Sequence, residues 1–230
     1  MSLFALGDTH LSFSCDKPMD IFVGWQNYEE RIEKNWKKII SEDDTVVIPG
    51  DISWAMSLEE ALEDFKFLDS LPGQKFIMKG NHDYWWATKK KSEEFFEKNN
   101  LTTLKILHNN AYRVGDVTIC GSRGWFFDCP GKKDKKIINR EARRLEMSIN
   151  EAQKLGGEII VFLHYPPLNT NQSCDEIIDV LKKYDIKRCY YAHLHGPSCK
   201  SAVTKVVDGV KYSLVSADYL EFCPKLVEKQ

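Results

Sequence analysis

An α/β domain is the fold class that this sequence predicts, and three observations predict it. Short apolar, β-branched or aromatic runs alternate along the chain with amphipathic stretches of helical period. A chain of 230 residues with 43% hydrophobic content can bury one large core. No Pro/Ser-rich linker, low-complexity tract or internal repeat interrupts it, so residues 1–230 are expected to form a single domain.

The elements follow in order. Leu3-Phe4-Ala5-Leu6 places a strand over 2–6, and a helix is expected over 26–40. Val46-Val47-Ile48 marks a strand over 45–49, followed by a helix over 58–70. Phe76-Ile77-Met78 marks a strand over 75–79, before a helix over 88–99 and a strand over 117–121. The helix over 133–155 is the best defined: Ile138, Ala142, Leu145, Ile149 and Ala152 recur at spacings of 4, 3, 4 and 3, which makes one buried stripe. Lys136, Arg140 and Arg143 fall on its opposite, solvated face. Strands over 158–163 and 187–192 flank a helix over 174–183. Two last strands, 203–208 and 210–216, are joined by the hairpin pair Asp208-Gly209.

Composition narrows the function classes. The net charge of −2 argues neither for nor against an anionic partner. Its distribution is uneven: residues 1–70 carry 15 acidic and 6 basic side chains, and 132–144 carry 7 basic and 2 acidic. Seven cysteines without a CxxC pair fit neither a disulfide framework nor a zinc ribbon, and read as free thiols in a reducing compartment. The opening MSLFALGD lacks the basic region and apolar run of a signal peptide. No stretch approaches the roughly 18 apolar residues of a spanning helix. A cytoplasmic protein without a membrane partner is expected.

Five of the expected strands end in residues that bind metals. They lead into Gly7-Asp8-Thr9-His10, Pro49-Gly50-Asp51, Gly80-Asn81-His82-Asp83, His164, and His193-Leu194-His195-Gly196. Ligands in open α/β sheets bind outside the carboxyl ends of the strands. Of the six histidines, only His108 lies outside this set. Singly, an Asp-x-His can cap a helix, a Gly-Asp is ordinary turn chemistry, and Asn-His-Asp can be a turn. His-x-His is a better metal signal, because alternate residues of an extended segment face one side. Scatter does not put five of six histidines at strand ends.

Imidazoles, carboxylates and an amide oxygen form a mixed N/O donor set, suited to Mn, Fe or Zn rather than to Ca or a thiolate site. Seven ligands are too many for one ion that keeps an open position. Two ions about 3.5–4 Å apart, sharing a bridging carboxylate, can hold a hydroxide and clamp a phosphoryl group for in-line attack. The leaving alkoxide then needs a proton, which a nearby histidine free of metal can donate.

Together these residues resemble the calcineurin-like metallophosphoesterase superfamily, whose pattern of D-x-H, G-D, G-N-H-[DE], H and G-H-x-H is matched in order from Asp8 to His195. The resemblance implies an αββα sandwich of two mixed β-sheets flanked by helices, with a dinuclear metal site at strand C-terminal ends. It implies that Asp8, His10 and His195 hold one ion, that Asn81, His164 and His193 hold the other, and that Asp51 bridges them. His82 is then the general acid. Ala192 stands where the pattern usually has glycine, and Trp54 and Asp83 depart from the protein serine/threonine phosphatase branch, which has Asp and Glu there. A close relation to that branch is therefore not expected, and the group that orients His82 must lie elsewhere.

Trp54, Tyr84, Trp85, Trp86, Trp125, Phe126 and Phe127 follow motif loops or a strand end. They read first as core filling and second as a wall that stacks on a substrate ring. Arg123, between glycines in Gly121-Ser122-Arg123-Gly124, can fork onto a phosphate or pair on the surface. Tyr165-Pro166-Pro167 reads as a stiff structural edge. The expected function is hydrolysis of a small phosphomonoester or phosphodiester, with nucleotide-like molecules among the candidate substrates. A non-catalytic scaffold on the same fold is one competing reading. A nuclease is another, carried only by the basic helix.

Overall fold

The computed structural model describes residues 1–125 and 132–229, so Phe126 and Phe127 lie outside the described residues. In chain order the strands are β1 (Ser2–Ala5), β2 (Thr45–Ile48), β3 (Gln74–Ile77), β4 (Leu104–Ile106), β5 (Ala111–Val114), β6 (Val117–Ser122), β7 (Glu158–Leu163), β8 (Arg188–Tyr191), β9 (Val206–Val207), β10 (Val210–Leu214) and β11 (Lys225–Lys229). The helices are α1 (Tyr28–Ile39), α2 (Leu62–Ser70), α3 (Lys89–Lys98), α4 (Lys132–Leu155) and α5 (Asp175–Lys183). They divide between two compact units, Met1–Ile106 with Val215–Gln230, and Leu107–Leu214.

The first unit holds a mixed sheet of order β11-β1-β2-β3-β4. Strands β1 to β4 run parallel, with Ala5 opposite Val47, Ile48 opposite Ile77, and Ile77 opposite Ile106. Parallel pairing brings the carboxyl ends of β1, β2 and β3 to one edge, and the loops that carry Asp8, Asp51 and Asn81 leave from that edge. Tyr28, Ile32 and Trp36 of α1, Phe65 and Leu68 of α2, and Phe96 of α3 pack with Phe4, Val46, Ile48 and Ile77 in one core. Burying each such side chain contributes about 1.5–3 kcal/mol. Trp36 keeps its indole N–H satisfied by donating to the Pro72 carbonyl at 2.9 Å.

The second unit holds a mixed sheet of order β5-β6-β7-β8-β10-β9. Strands β6, β7, β8 and β10 are parallel, and Ser122, Leu163 and Tyr191 line up across β6, β7 and β8. Arg123, His164 and Ala192 follow these three residues, so their loops start level with one another. The stripe Ile138, Ala142, Leu145, Ile149 and Ala152 of α4 is buried as its spacing predicts. Lys136, Arg140 and Arg143 are exposed. The helix ends before Gly156 and Gly157, whose φ of 71° and 76° suit glycine at a helix C-terminus. At Gly157 a Cβ would meet the Arg113 guanidinium and the Asp116 carbonyl, so only glycine fits.

Most expected elements are present, with shifted ends. The hairpin at Asp208-Gly209 forms with φ of 48° and 81°, and joins Val207 to Val210. Its first strand covers only Val206–Val207, and α2 starts at Leu62 after a turn in which Ala61 N–H reaches Ser57 O. Three strands escape the sequence reading. β4 is three residues long, β5 is a half-exposed edge, and β11 places charges around a single buried Val227. Among the described residues no helix is long and apolar enough to cross a membrane.

Candidate functional site

At the strand-end edge of the first unit the loops continue the ladder of the sheet. Leu6 N–H donates to Val47 O, Asp8 N–H to Gly50 O at 3.0 Å, His10 N–H to Asp51 O at 2.9 Å, and Leu11 N–H to Ile52 O. The Thr9 hydroxyl donates to Ile52 O at 3.0 Å, and the Tyr28 phenol to His10 O at 2.9 Å. Asp8, His10 and Asp51 adopt left-handed φ of 56°, 45° and 50°. Each such residue costs about 1–2 kcal/mol, a strain that collects where backbone is bent to aim functional groups. All three side chains are buried. Ligand atoms of Asp8 and His10 lie within 4.8 Å of each other, and His10 Nε2 is 3.8 Å from Asp51 Oδ2.

Asp83 holds this edge together. Its Oδ2 accepts Gly80 N–H at 2.7 Å and Asp51 N–H at 2.9 Å; its Oδ1 accepts Ile52 N–H at 2.8 Å, Ser53 N–H at 3.3 Å and Trp85 Nε1–H at 3.0 Å. The Asp beside the histidine thus secures the loop that carries Asp51, with both oxygens engaged. Gly80 must be glycine, because a Cβ there would fall on the Asp51 carboxylate and amide nitrogen. Trp85 is core, with its ring 4.9 Å from Phe65 and 5.2 Å from Trp86, which packs half-buried beside it.

Burial pushes the Asp51 carboxyl well above its usual range, and the charges of Asp83 and Asp8 push the same way. Hydrogen bonds from the His82 and Asn81 backbone oppose that rise. Buried carboxylates this close need compensating positive charge to stay ionised, and a bound cation supplies it. The donors present therefore fit a metal. His82 donates its backbone N–H to Asp51 Oδ1 at 2.8 Å. Its ring lies 4.5 Å from that of Trp54 and 5.8 Å from that of His10. Trp54 stacks on His10 at 4.9 Å and 22°. The Tyr84 phenol is 3.5 Å from His82 Nδ1 and leaves its own ring 54% exposed.

The corresponding edge of the second unit is held by backbone. His164 N–H and Tyr165 N–H both donate to the Arg123 carbonyl, at 3.1 and 2.9 Å, and Ala192 N–H donates to His164 O at 3.1 Å. His193 sits at a left-handed φ of 75°, with a ligand atom within 4.8 Å of one on His164. The Tyr165 ring lies 4.3 Å from His193, which gives this residue a packing role against a candidate ligand. His195 N–H donates to the Ser198 hydroxyl at 2.9 Å, which fixes the turn after the His-x-His. The Arg123 guanidinium lies 5.3 Å from the Trp125 ring. Arg123 Nε and Trp125 Nε1 are buried donors without a hydrogen-bond partner among the described residues.

Asp8, His10, Asp51, Asn81, His82, Trp54 and Tyr84 therefore belong to the first unit's edge, and Arg123, His164, His193 and His195 to the second's. Sequence reasoning missed Asp83 as a clamp, Gly80 as a close approach, and Tyr28 and Asp64 as supports. Asp64 did carry a signal: it falls in the apolar stripe of Ala61, Phe65 and Leu68, where a carboxylate needs a reason.

The profile of the calcineurin-like phosphoesterase family matches residues 1–197. No curated protein matches the chain. A solved structure of a protein of unknown function from Aquifex aeolicus is 18% identical with a TM-score of 0.52, over 97% of this chain and 94% of its own. A protein of Thermus thermophilus is 13% identical with a TM-score of 0.57, over 84% of this chain and 81% of its own. The phosphopantetheinyl hydrolase of Mycobacterium tuberculosis is 16% identical with a TM-score of 0.54, over 98% of this chain and 95% of its own. Identities this low establish likeness of fold alone.

Proposed function

The chain belongs to the calcineurin-like phosphoesterase family, a family of metal-dependent phosphoric ester hydrolases, and from that premise we propose that it hydrolyses a small phosphomonoester or phosphodiester at a dinuclear centre. Asp8, His10 and His195 would hold one ion, Asn81, His164 and His193 the other, and Asp51 both. Manganese, iron or zinc suits this donor set. The two units then act as one functional domain. When bound, the ions supply a nucleophilic water at neutral pH and neutralise charge on the phosphoryl group.

The chain's own residues do the rest. The buried carboxylates of Asp8 and Asp51 set the charge of the centre, and Asp83 holds the Asp51 loop rigid. His82, tied by its N–H to Asp51 and walled by Trp54, donates its proton to the leaving alkoxide. Arg123 forks onto a phosphate oxygen, which gives its buried Nε–H an acceptor. Tyr84 offers an exposed ring and phenol to the substrate body, while Trp54, already stacked on His10, serves as the floor. The free thiols of Cys15, Cys120, Cys174, Cys189, Cys199 and Cys223 support a cytoplasmic location.

The observation that carries this reading is the gathering of buried donors at the strand ends, with ligand atoms of Asp8 and His10 within 4.8 Å of each other and His10 Nε2 3.8 Å from Asp51 Oδ2. Metal analysis of the purified protein, combined with a panel of monoesters, diesters and cyclic nucleotides, tests it. Two ions per chain with turnover of one class is the expected result. Full metal occupancy with no turnover on any phosphoester would instead favour a binding protein. Salt-weakened cleavage of RNA or DNA would favour a nuclease, although Arg140 and Arg144 on the basic helix already lie 3.6 and 2.7 Å from Glu141.

A further inference from the structure

Asp64 lies on α2, fully buried, and has no part in the chemistry above. One carboxylate oxygen, Oδ1, accepts the Phe13 backbone N–H at 2.8 Å. The other, Oδ2, accepts the Ser53 hydroxyl. Phe13 is three residues past His10, and Ser53 is two residues past Asp51. Ser53 is gripped from a second side as well, since its N–H donates to Asp83 Oδ1 at 3.3 Å and its hydroxyl oxygen accepts Ala55 N–H at 3.1 Å. One buried carboxylate thus bonds to both loops that leave β1 and β2 with candidate ligands.

We propose that Asp64 is a positioning residue that fixes the separation of the His10 loop from the Asp51 loop, and through it the geometry of the two ions; the proposal rests on the dinuclear reading above. Its neighbours on the inner face of α2 are apolar, so a leucine at this position would bury more favourably if packing were the only demand. Replacing the carboxylate with an apolar group would strand the buried Ser53 hydroxyl and leave the part-buried Phe13 N–H without its acceptor. Four titratable groups face it: Tyr28 and Glu29 from α1, Glu60 from the turn before α2, and Cys15 from the loop after β1. None of them is a cation. Burial pushes the Asp64 carboxyl up to about 6, against the pull of the Ser53 and Phe13 donors, so at neutral pH both oxygens accept.

The test compares the full-length manganese-loaded wild type with Asp64→Asn and Ser53→Ala by electron paramagnetic resonance, metal stoichiometry and steady-state kinetics on bis-p-nitrophenyl phosphate. The asparagine keeps the shape and an acceptor for the Phe13 N–H, but it loses the charge and reverses the Ser53 bond, its amide N–H now donating to the hydroxyl. The expected result is two manganese ions per chain in each variant, with an exchange-coupled spectrum altered from the wild type. Turnover should fall about tenfold or more at nearly unchanged KM. The double variant should lose less than the sum of the two single losses, because both changes act on the shared Ser53–Asp64 link. Should Asp64→Asn not fold, Ser53→Ala alone carries the test, since it keeps the Ser53 backbone bond to Asp83. A lower melting temperature with an unaltered spectrum in either folded variant would make Asp64 a stability residue only and overturn the proposal. A wild-type protein with fewer than two ions, or without a coupled spectrum, would overturn the dinuclear reading itself, a result distinct from the former.

Discussion

Both candidate carboxylate ligands, Asp8 and Asp51, sit at the strand ends of the first unit, while the candidate ligands of the second, His164, His193 and His195, are all imidazoles. The supports differ accordingly. Asp8 and Asp51 are carboxylates out of water, and the loops that carry them are clamped by two further buried aspartates, Asp83 and Asp64, which accept seven N–H or O–H donors between them. His164 and His193 are imidazoles, which carry no obligatory charge, and their strand ends are held by ordinary backbone bonds. A charged site needs a charge-assisted scaffold; a neutral one needs only a sheet. Substitutions in the first unit should therefore be the more damaging ones.

The largest expected effects separate holding from chemistry within that unit. His82→Ala should keep both ions and lose about 10²–10⁴-fold in kcat, whereas Asp51→Ala should lose metal; elemental analysis beside kinetics reads both. Were His82→Ala to strip the ions, its role as proton donor would be wrong. Gly80→Ala forces a methyl group onto Asp51. It should abolish metal binding or folding, and a variant with wild-type metal affinity would contradict the close approach. Asp83→Asn places an amide donor among five N–H groups, and should cost about 3 kcal/mol in urea unfolding.

A fourth expectation concerns the buried Lys75 on β3, which burial lowers from the usual 10.5 to about 8, with Leu71 O accepting its Nζ–H. Between those two values the unfolded chain binds the extra proton and the native state does not, so this group makes stability rise as pH increases through that window. Lys75→Met should flatten that rise, worth on the order of 2–3 kcal/mol, in melting curves taken from pH 7.5 to 10.5. In the second unit the effects should be smaller. Arg123→Ala should raise KM about tenfold with metal content unchanged, and an unchanged KM would remove Arg123 from the substrate contacts.

Much of this was legible in the sequence for identifiable reasons. Apolar stripes of period 3.6 survive folding because one face of a helix must be buried, and the stripe of α4 is buried as read. The strand-end placement of the candidate ligands was legible because the residue types able to bind metal are chemically restricted and parallel sheets gather their carboxyl ends. β11 was not legible: its alternating charges make sense only once β1 offers it an antiparallel partner. The roles of Asp83 and Asp64 were hidden for a related reason. A carboxylate's role depends on which donors reach it, and five of these seven come from 11 to 51 positions away in the chain.

The sequence by itself determined the α/β class, the order of the motifs and the residue types able to hold metal and move a proton, because period, spacing and side-chain chemistry are local properties. Only the tertiary structure decided that Trp85 is core while Tyr84 is exposed. It also decided that Asp83 anchors the Asp51 loop, and that Gly80 leaves no room for a side chain. Each of these depends on atoms brought together from separate loops, and no spacing along the chain encodes such distances.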